Sequence, residues 1–125
     1  MNRLVPLLLV ILFGSSCSKH ESPVAGFVIH EQALAMAASR CQNAQKLDWL
    51  VDIIERAEQD VQFKGSIYAI AVNTETVFLH QPWINNCFGC NLYNCNGDAL
   101  TLSEGDRTMV LAGVSDENLI FTSFQ

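Results

Sequence analysis

Residues 46–60 read KLDWLVDIIERAEQD, and their spacing decides the fold. Leu47, Leu50, Val51, Ile54, Ala57 and Glu58 recur three and four positions apart, and all but Glu58 are apolar. Residues at that spacing line one face of an α-helix, so this face is expected to bury. Trp49 and Ile53 widen the stripe, while Asp48, Asp52, Glu55, Arg56 and Gln59 supply the wet side. Asp48 near the start suits the positive end of the helix dipole. Asp52 and Arg56 stand four apart, a pairing worth roughly a few tenths of a kcal/mol. Trp49 is expected to pack in the core rather than to serve as a ligand platform.

Downstream of Lys64-Gly65 the period changes from helical to extended. In residues 66–72, Ile67, Ala69 and Ala71 alternate with Tyr68, Ile70 and Val72, which suits a strand covered on both faces. Asn73-Thr74-Glu75 reads as a turn, and residues 76–80 return with Val77 and Leu79 opposite Phe78 and His80. Residues 81–91 read as a loop. Residues 92–95 then run into Asn96-Gly97, the strongest short hairpin signal, expected as a type I′ turn. Residues 98–102 lead back to a turn at Glu104-Gly105-Asp106. Residues 109–112 and 118–124 read as two further strands, parted by Ser115-Asp116-Glu117. Upstream, residues 27–40 are rich in Ala, which favours helix; a first helix and an extended segment with one turn both remain open. The expected class is α+β, with one main amphipathic helix packed on an antiparallel β-meander.

The chain has 125 residues, enough for one small domain. Its first residues have the tripartite plan of a secretory signal: a short positive start at Asn2-Arg3, an apolar run over residues 4–13 broken by Pro6, and small Gly14-Ser15-Ser16 before Cys17. The apolar run is too short to span a bilayer, which takes about 20 residues. Small residues before a cysteine resemble the lipobox of bacterial lipoproteins, although Gly14 stands where an aliphatic residue is more usual. That resemblance implies cleavage after residue 16 and acylation of Cys17. The expected organisation is a signal peptide over residues 1–16, a tether over 17–26 and one domain over 27–125. Arg3 is the one charged residue before Cys17, so the chain from Cys17 onward has 6 basic and 13 acidic residues, a formal charge of −7. Such a chain repels phosphate backbones, and no run of Lys or Arg is present, which argues against a nucleic-acid partner.

Beyond Cys17 stand four cysteines, Cys41, Cys87, Cys90 and Cys95. In an oxidising compartment they form up to two disulfides, with three connectivities that spacing does not separate. Cys95, fixed beside the Asn96-Gly97 turn, is expected to bridge to Cys41, Cys87 or Cys90. Cys87-Phe88-Gly89-Cys90 also admits a redox pair, but it lies in a loop without a basic neighbour. The third reading is a metal site with Cys87, Cys90 and Cys95 as thiolates and Cys41 or His80 as the fourth ligand. The second C-x-x-C of a zinc ribbon is missing.

No nucleophile-elbow, P-loop, metalloprotease or dinucleotide motif occurs. His20, His30 and His80 are far apart, and His80 reads as a structural strand residue. The stretches Leu47-Asp48-Trp49-Leu50, Ile53-Ile54, Ile67-Tyr68, Val77-Phe78, the cysteine-bearing loop and Leu92-Tyr93-Asn94-Cys95-Asn96-Gly97 together resemble a family of small lipoproteins of Bacteroidetes-type bacteria. The resemblance covers residues 41–100. It implies an exported helix-plus-sheet domain with a cysteine-bearing loop and supplies no catalytic residues. The cysteine count of that loop varies within the family, so the resemblance fixes neither disulfide nor metal.

The sequence therefore leads to the expectation of a lipid-anchored protein of the cell envelope, on a bacterial membrane (the outer one favoured, its face open). It is read as a non-enzymatic module for an envelope protein or small ligand, without cofactor. A cysteine-based metal-binding protein, and an envelope enzyme or enzyme inhibitor, are the alternatives.

Overall fold

The computed structural model describes residues 25–42, 46–84, 87 and 91–123, with side chains from residue 30 onward. Residues 1–24, over which the signal peptide, Cys17 and most of the tether were expected, and Cys90 lie outside the described residues. Among the described residues, three α-helices and a four-stranded antiparallel sheet make an α+β domain.

Helix α1 spans Ala25–Arg40, so the Ala-rich stretch is helix, and it begins two residues inside the stretch read as tether. Helix α2 spans Asp48–Gln59 and buries Leu50, Ile54 and Ala57, the i, i+4, i+7 core of the expected stripe. Glu58 is exposed; its carboxylate accepts a 2.7 Å hydrogen bond from His30 Nε2 of α1.

Strands β1 (Gly65–Val72) and β2 (Glu75–Pro82) form the hairpin, joined through Asn73, whose φ of 56° an Asn tolerates better than most residues. Ile67 faces His80 and Ala69 faces Phe78 across the pair; Tyr68 faces Leu79 and Ile70 faces Val77. The hairpin has two apolar sides, and each has its own core. On one side, Ile67, Ala69 and Phe78 pack with Ala33 and Ala37 of α1 and with Leu50, Ile54 and Ala57 of α2. On the other, Ile70, Val72, Val77 and Leu79 pack with Leu92 and Val110. Strand β2 runs through Pro82, two residues into the stretch expected as loop.

Strand β3 is short, Leu92–Tyr93, and pairs with β2. The turn after it differs from the expected type I′. Gly97 N donates to Asn94 O, Asn94 N donates to Asp98 O, and Gly97 alone has positive φ, at 84°. This is a tight turn followed by a left-handed glycine, the three-residue hairpin loop. The reason lies in Asn94: its side-chain oxygen accepts from the Asn96 and Asp98 amides and locks the turn from inside. A Cβ on Gly97 would sit 2.3 Å from Trp49 Cγ, so the turn also needs glycine for space.

Residues 109–112 are not a strand, and Glu104-Gly105-Asp106 is not a turn between strands. Both belong to helix α3, Glu104–Ala112, capped by Ser103 Oγ accepting from Asp106 N at 3.2 Å. α3 crosses close over the sheet; a Cβ on Gly113 just beyond it would fall 2.3 Å from Ile70 Cγ2. A 3-10 turn, Asp116–Asn118, then leads to β4, Leu119–Thr122. β4 pairs antiparallel with β1, so the order is β3-β2-β1-β4: the first three strands form the meander and the last returns to its outer edge.

The two ends of the domain are distinct. His30, in the N-terminal half of α1, meets the C-terminal turn of α2, and that helix leads through residues 60–64 to the start of β1 and the end of β2. At the opposite pole the C-terminal end of α1 meets the β1–β2 turn and the Asn94–Gly97 turn. No described helix is long and apolar enough to cross a membrane.

Candidate functional site

At that opposite pole three segments converge. Cys41 continues α1, its amide donating to Ala37 O at 3.0 Å, and is 4% exposed. Cys95 sits in the turn locked by Asn94. A disulfide joins them, with Cα atoms 5.8 Å apart, an ordinary separation for a bridge. The β1–β2 turn is tied in by Thr76 Oγ1, which donates to Arg40 O at 2.8 Å. Trp49 supports the arrangement from below. Its Nε1 donates to Cys95 O at 3.2 Å, and its ring packs edge-on against Phe78 at 5.1 Å and tilted on Tyr93 at 5.7 Å. Trp49 is thus a core and bracing residue with its polar N–H satisfied.

Above the disulfide opens a cleft of about 350 Å³. Arg40, Gln42, Glu75, Thr76, Asn94 and Asn96 line it together with the two cysteines and Thr74. That volume falls within the range of small-ligand sites, roughly 300–1,000 Å³. The groups on offer are one guanidinium, one carboxylate, three amides and hydroxyls, the chemistry of hydrogen-bonded recognition. A second groove of about 410 Å³ between α1 and α2 is walled by Leu34, Ala35, Ala38, Leu47 and Val51 and borders the α1–α2 connection.

Of the cysteines singled out in the sequence, Cys41 and Cys95 are brought together and Cys87 is not with them. Cys87 is itself disulfide-bonded. The metal reading, with Cys87, Cys90 and Cys95 as thiolates and Cys41 or His80 as the fourth ligand, meets disulfide sulfurs at Cys41, Cys87 and Cys95. Sulfurs of Cys41, Cys87 and Cys95 shared in disulfides are not thiolate ligands, and among the described residues no group of three or more His, Cys, Asp or Glu side chains is placed to hold a metal ion. His80 does not join them either. It lies four residues along β2 from Thr76, roughly 13 Å of strand.

His80 is the one buried polar or charged side chain among the described residues. Its Nε2 donates to Phe63 O at 2.9 Å, and its ring stacks on Phe63 with centroids 6.0 Å apart. Burial lowers its pKa, and the hydrogen bond to Phe63 partly opposes that. A neutral, donating, stacked imidazole is a structural histidine. The Arg56 guanidinium also lies over the Phe63 ring, 5.7 Å from its centroid.

Arg40, Gln42, Glu75, Asn94 and Asn96 were not grouped by the sequence, because they come from three separate segments, the end of α1, the β1–β2 turn and the Asn94–Gly97 turn, which the bridge and the Thr76–Arg40 hydrogen bond bring together. The one clue was Asn94-Cys95-Asn96-Gly97, a turn that places two amides beside a fixed cysteine. No family model matches the chain, and no curated protein or solved structure is significantly similar to it.

Proposed function

We propose that this chain is an exported bacterial lipoprotein, anchored through Cys17 to a membrane of the cell envelope, whose domain binds a small polar ligand in the cleft beside Cys41 and Cys95. The observation that carries the reading is the Cys41–Cys95 bridge. Structural disulfides persist in oxidising compartments and are rare in the cytosol. The bridge therefore agrees with the secretory plan of residues 1–17, and the resemblance to Bacteroidetes-type lipoproteins points the same way. The cleft groups suit binding. Arg40 and Glu75 offer charges of both signs, as a zwitterionic or short peptide ligand requires, and the amides offer donors and acceptors between them.

Metabolic labelling with a radioactive fatty acid tests the anchor. Wild type is expected to take up label and Cys17→Ser to accumulate as unlabelled precursor; label persisting in the variant sinks the claim. For the cleft, the soluble domain is titrated with a zwitterionic dipeptide and followed by NMR. Amide shifts are expected around Arg40, Glu75, Asn94 and Asn96, and abolished in Arg40→Ala; shifts spread evenly over the surface would dismiss the cleft as the site.

A further inference from the structure

Three large apolar side chains lie open to solvent around the pole opposite the cleft. Val61 is 61% exposed, Trp83 72% and Ile84 57%. Backbone hydrogen bonds gather them. Phe63 N and Lys64 N both donate to Asp60 O, folding Val61 into a tight turn, and Trp83 N donates to Lys64 O at 2.7 Å, which ties the Trp83-Ile84 segment to the end of that turn. This is also the pole at which α1 begins. Through His30 its N-terminal half touches Glu58 and Phe121, and Ser123, after β4, accepts from Gly65 N and donates to Ala57 O.

On the premise that Cys17 carries the lipid, we propose that this pole rests on the bilayer surface, with Trp83, Ile84 and Val61 seated among the lipid headgroups. Only residues 18–24 separate Cys17 from α1. A chain spans at most about 3.3–3.6 Å per residue, which keeps the start of α1 within roughly 30 Å of the membrane. The pole that carries the three apolar side chains is therefore the pole the anchor holds down. Trp favours the interface, where an apolar ring and a polar N–H are both accommodated. Three side chains would bind lipid weakly in a free protein. Anchoring makes the contact intramolecular, at an effective concentration of roughly millimolar. The attraction is apolar, because a chain carrying −7 from Cys17 onward gains nothing from anionic headgroups.

The mature, lipidated protein is reconstituted in phosphatidylcholine vesicles with brominated acyl chains, and flotation and tryptophan emission are read together. Wild type is expected to float and to lose the Trp83 share of its emission to bromine quenching. Trp83→Ser is expected to float equally while its remaining emission, from Trp49 at the far pole, is unquenched. Ile84→Asp, which retains both indoles, is expected to float with quenching reduced. Exchange of part of the lipid for phosphatidylglycerol is expected not to strengthen quenching. Flotation without quenching of Trp83 overturns the docking and leaves the anchor standing. Quenching that requires anionic lipid overturns it too. Failure to float overturns both the docking and the lipoprotein reading on which it rests.

Discussion

Replacing both bridged cysteines, Cys41→Ala with Cys95→Ala, removes the disulfide without leaving a thiol behind. The bridge spans a sequence separation of 54 residues, which contains α2, β1, β2 and β3. Freeing the unfolded chain from a closure of that length costs the folded state about 4 kcal/mol of stability by the chain-entropy relation. A small domain holds about 5–15 kcal/mol in all, so the variant is expected to be folded but marginal. In urea, with a slope of roughly 1–3 kcal/mol per molar, the midpoint should fall by about 1.5–4 M. Reduced wild type is the companion measurement: it keeps the sulfur atoms of Cys41 and Cys95 in place but loses the Cys87 disulfide as well. Cys41 is buried, so the alanine variant also carries a small packing loss, while the reduced protein carries the loss of the Cys87 bridge. A loss under about 1 kcal/mol in both would refute the reasoning, since it would mean that the unfolded chain does not gain the freedom the loop length implies.

Leu50→Ala and Ile54→Ala should each cost about 2–5 kcal/mol, because both side chains are fully buried between α2 and the sheet. Arg56→Ala should cost under about 1 kcal/mol, the worth of an exposed cation over the Phe63 ring; denaturant midpoints that rank the three in reverse would overturn the packing. His80 should make the domain acid-sensitive. Its folded pKa is lowered, so as pH falls below about 6.5 the unfolded chain takes up the proton first. Stability is therefore present above that pH and falls on acidification until the folded-state value is reached. Urea midpoints at about pH 7.5 and about pH 5.5 should differ more for wild type than for His80→Gln, and equal differences would remove His80 from the account.

The parts of the fold legible in the sequence are those where burial is one-sided or turn chemistry is local. Helix α2 has a stripe, and β1 with β2 has a run of apolar residues closed by Asn73. Helix α3 was hidden because it buries only Val110, leaves Met109 and Leu111 exposed, and carries Gly105 in its first turn, so its residues lack helical periodicity. The signal that could have revealed it was its cap, Ser103 three residues before Asp106. The Asn96-Gly97 turn was placed correctly and typed wrongly, since Asn94 and not the central pair sets its geometry. Of the cleft, only the Asn94-Cys95-Asn96-Gly97 turn was legible. Cys95 had three partners open to it, and the choice of Cys41 follows from α1 ending over the β3 turn, a tertiary fact.

The bridge also sets how this chain would carry force. A pull applied between residue 25 and the C-terminal strand β4 would run along α1 to Cys41, cross the sulfur–sulfur bond to Cys95, and continue through α3 to β4. The chain between the two cysteines, with α2 and the β1–β2 hairpin, is bypassed by that path. Drag on the domain would peel α1 and the final strand while the central sheet and its helix bear no tension along their backbone, so the protein would lengthen in a bounded step instead of unravelling.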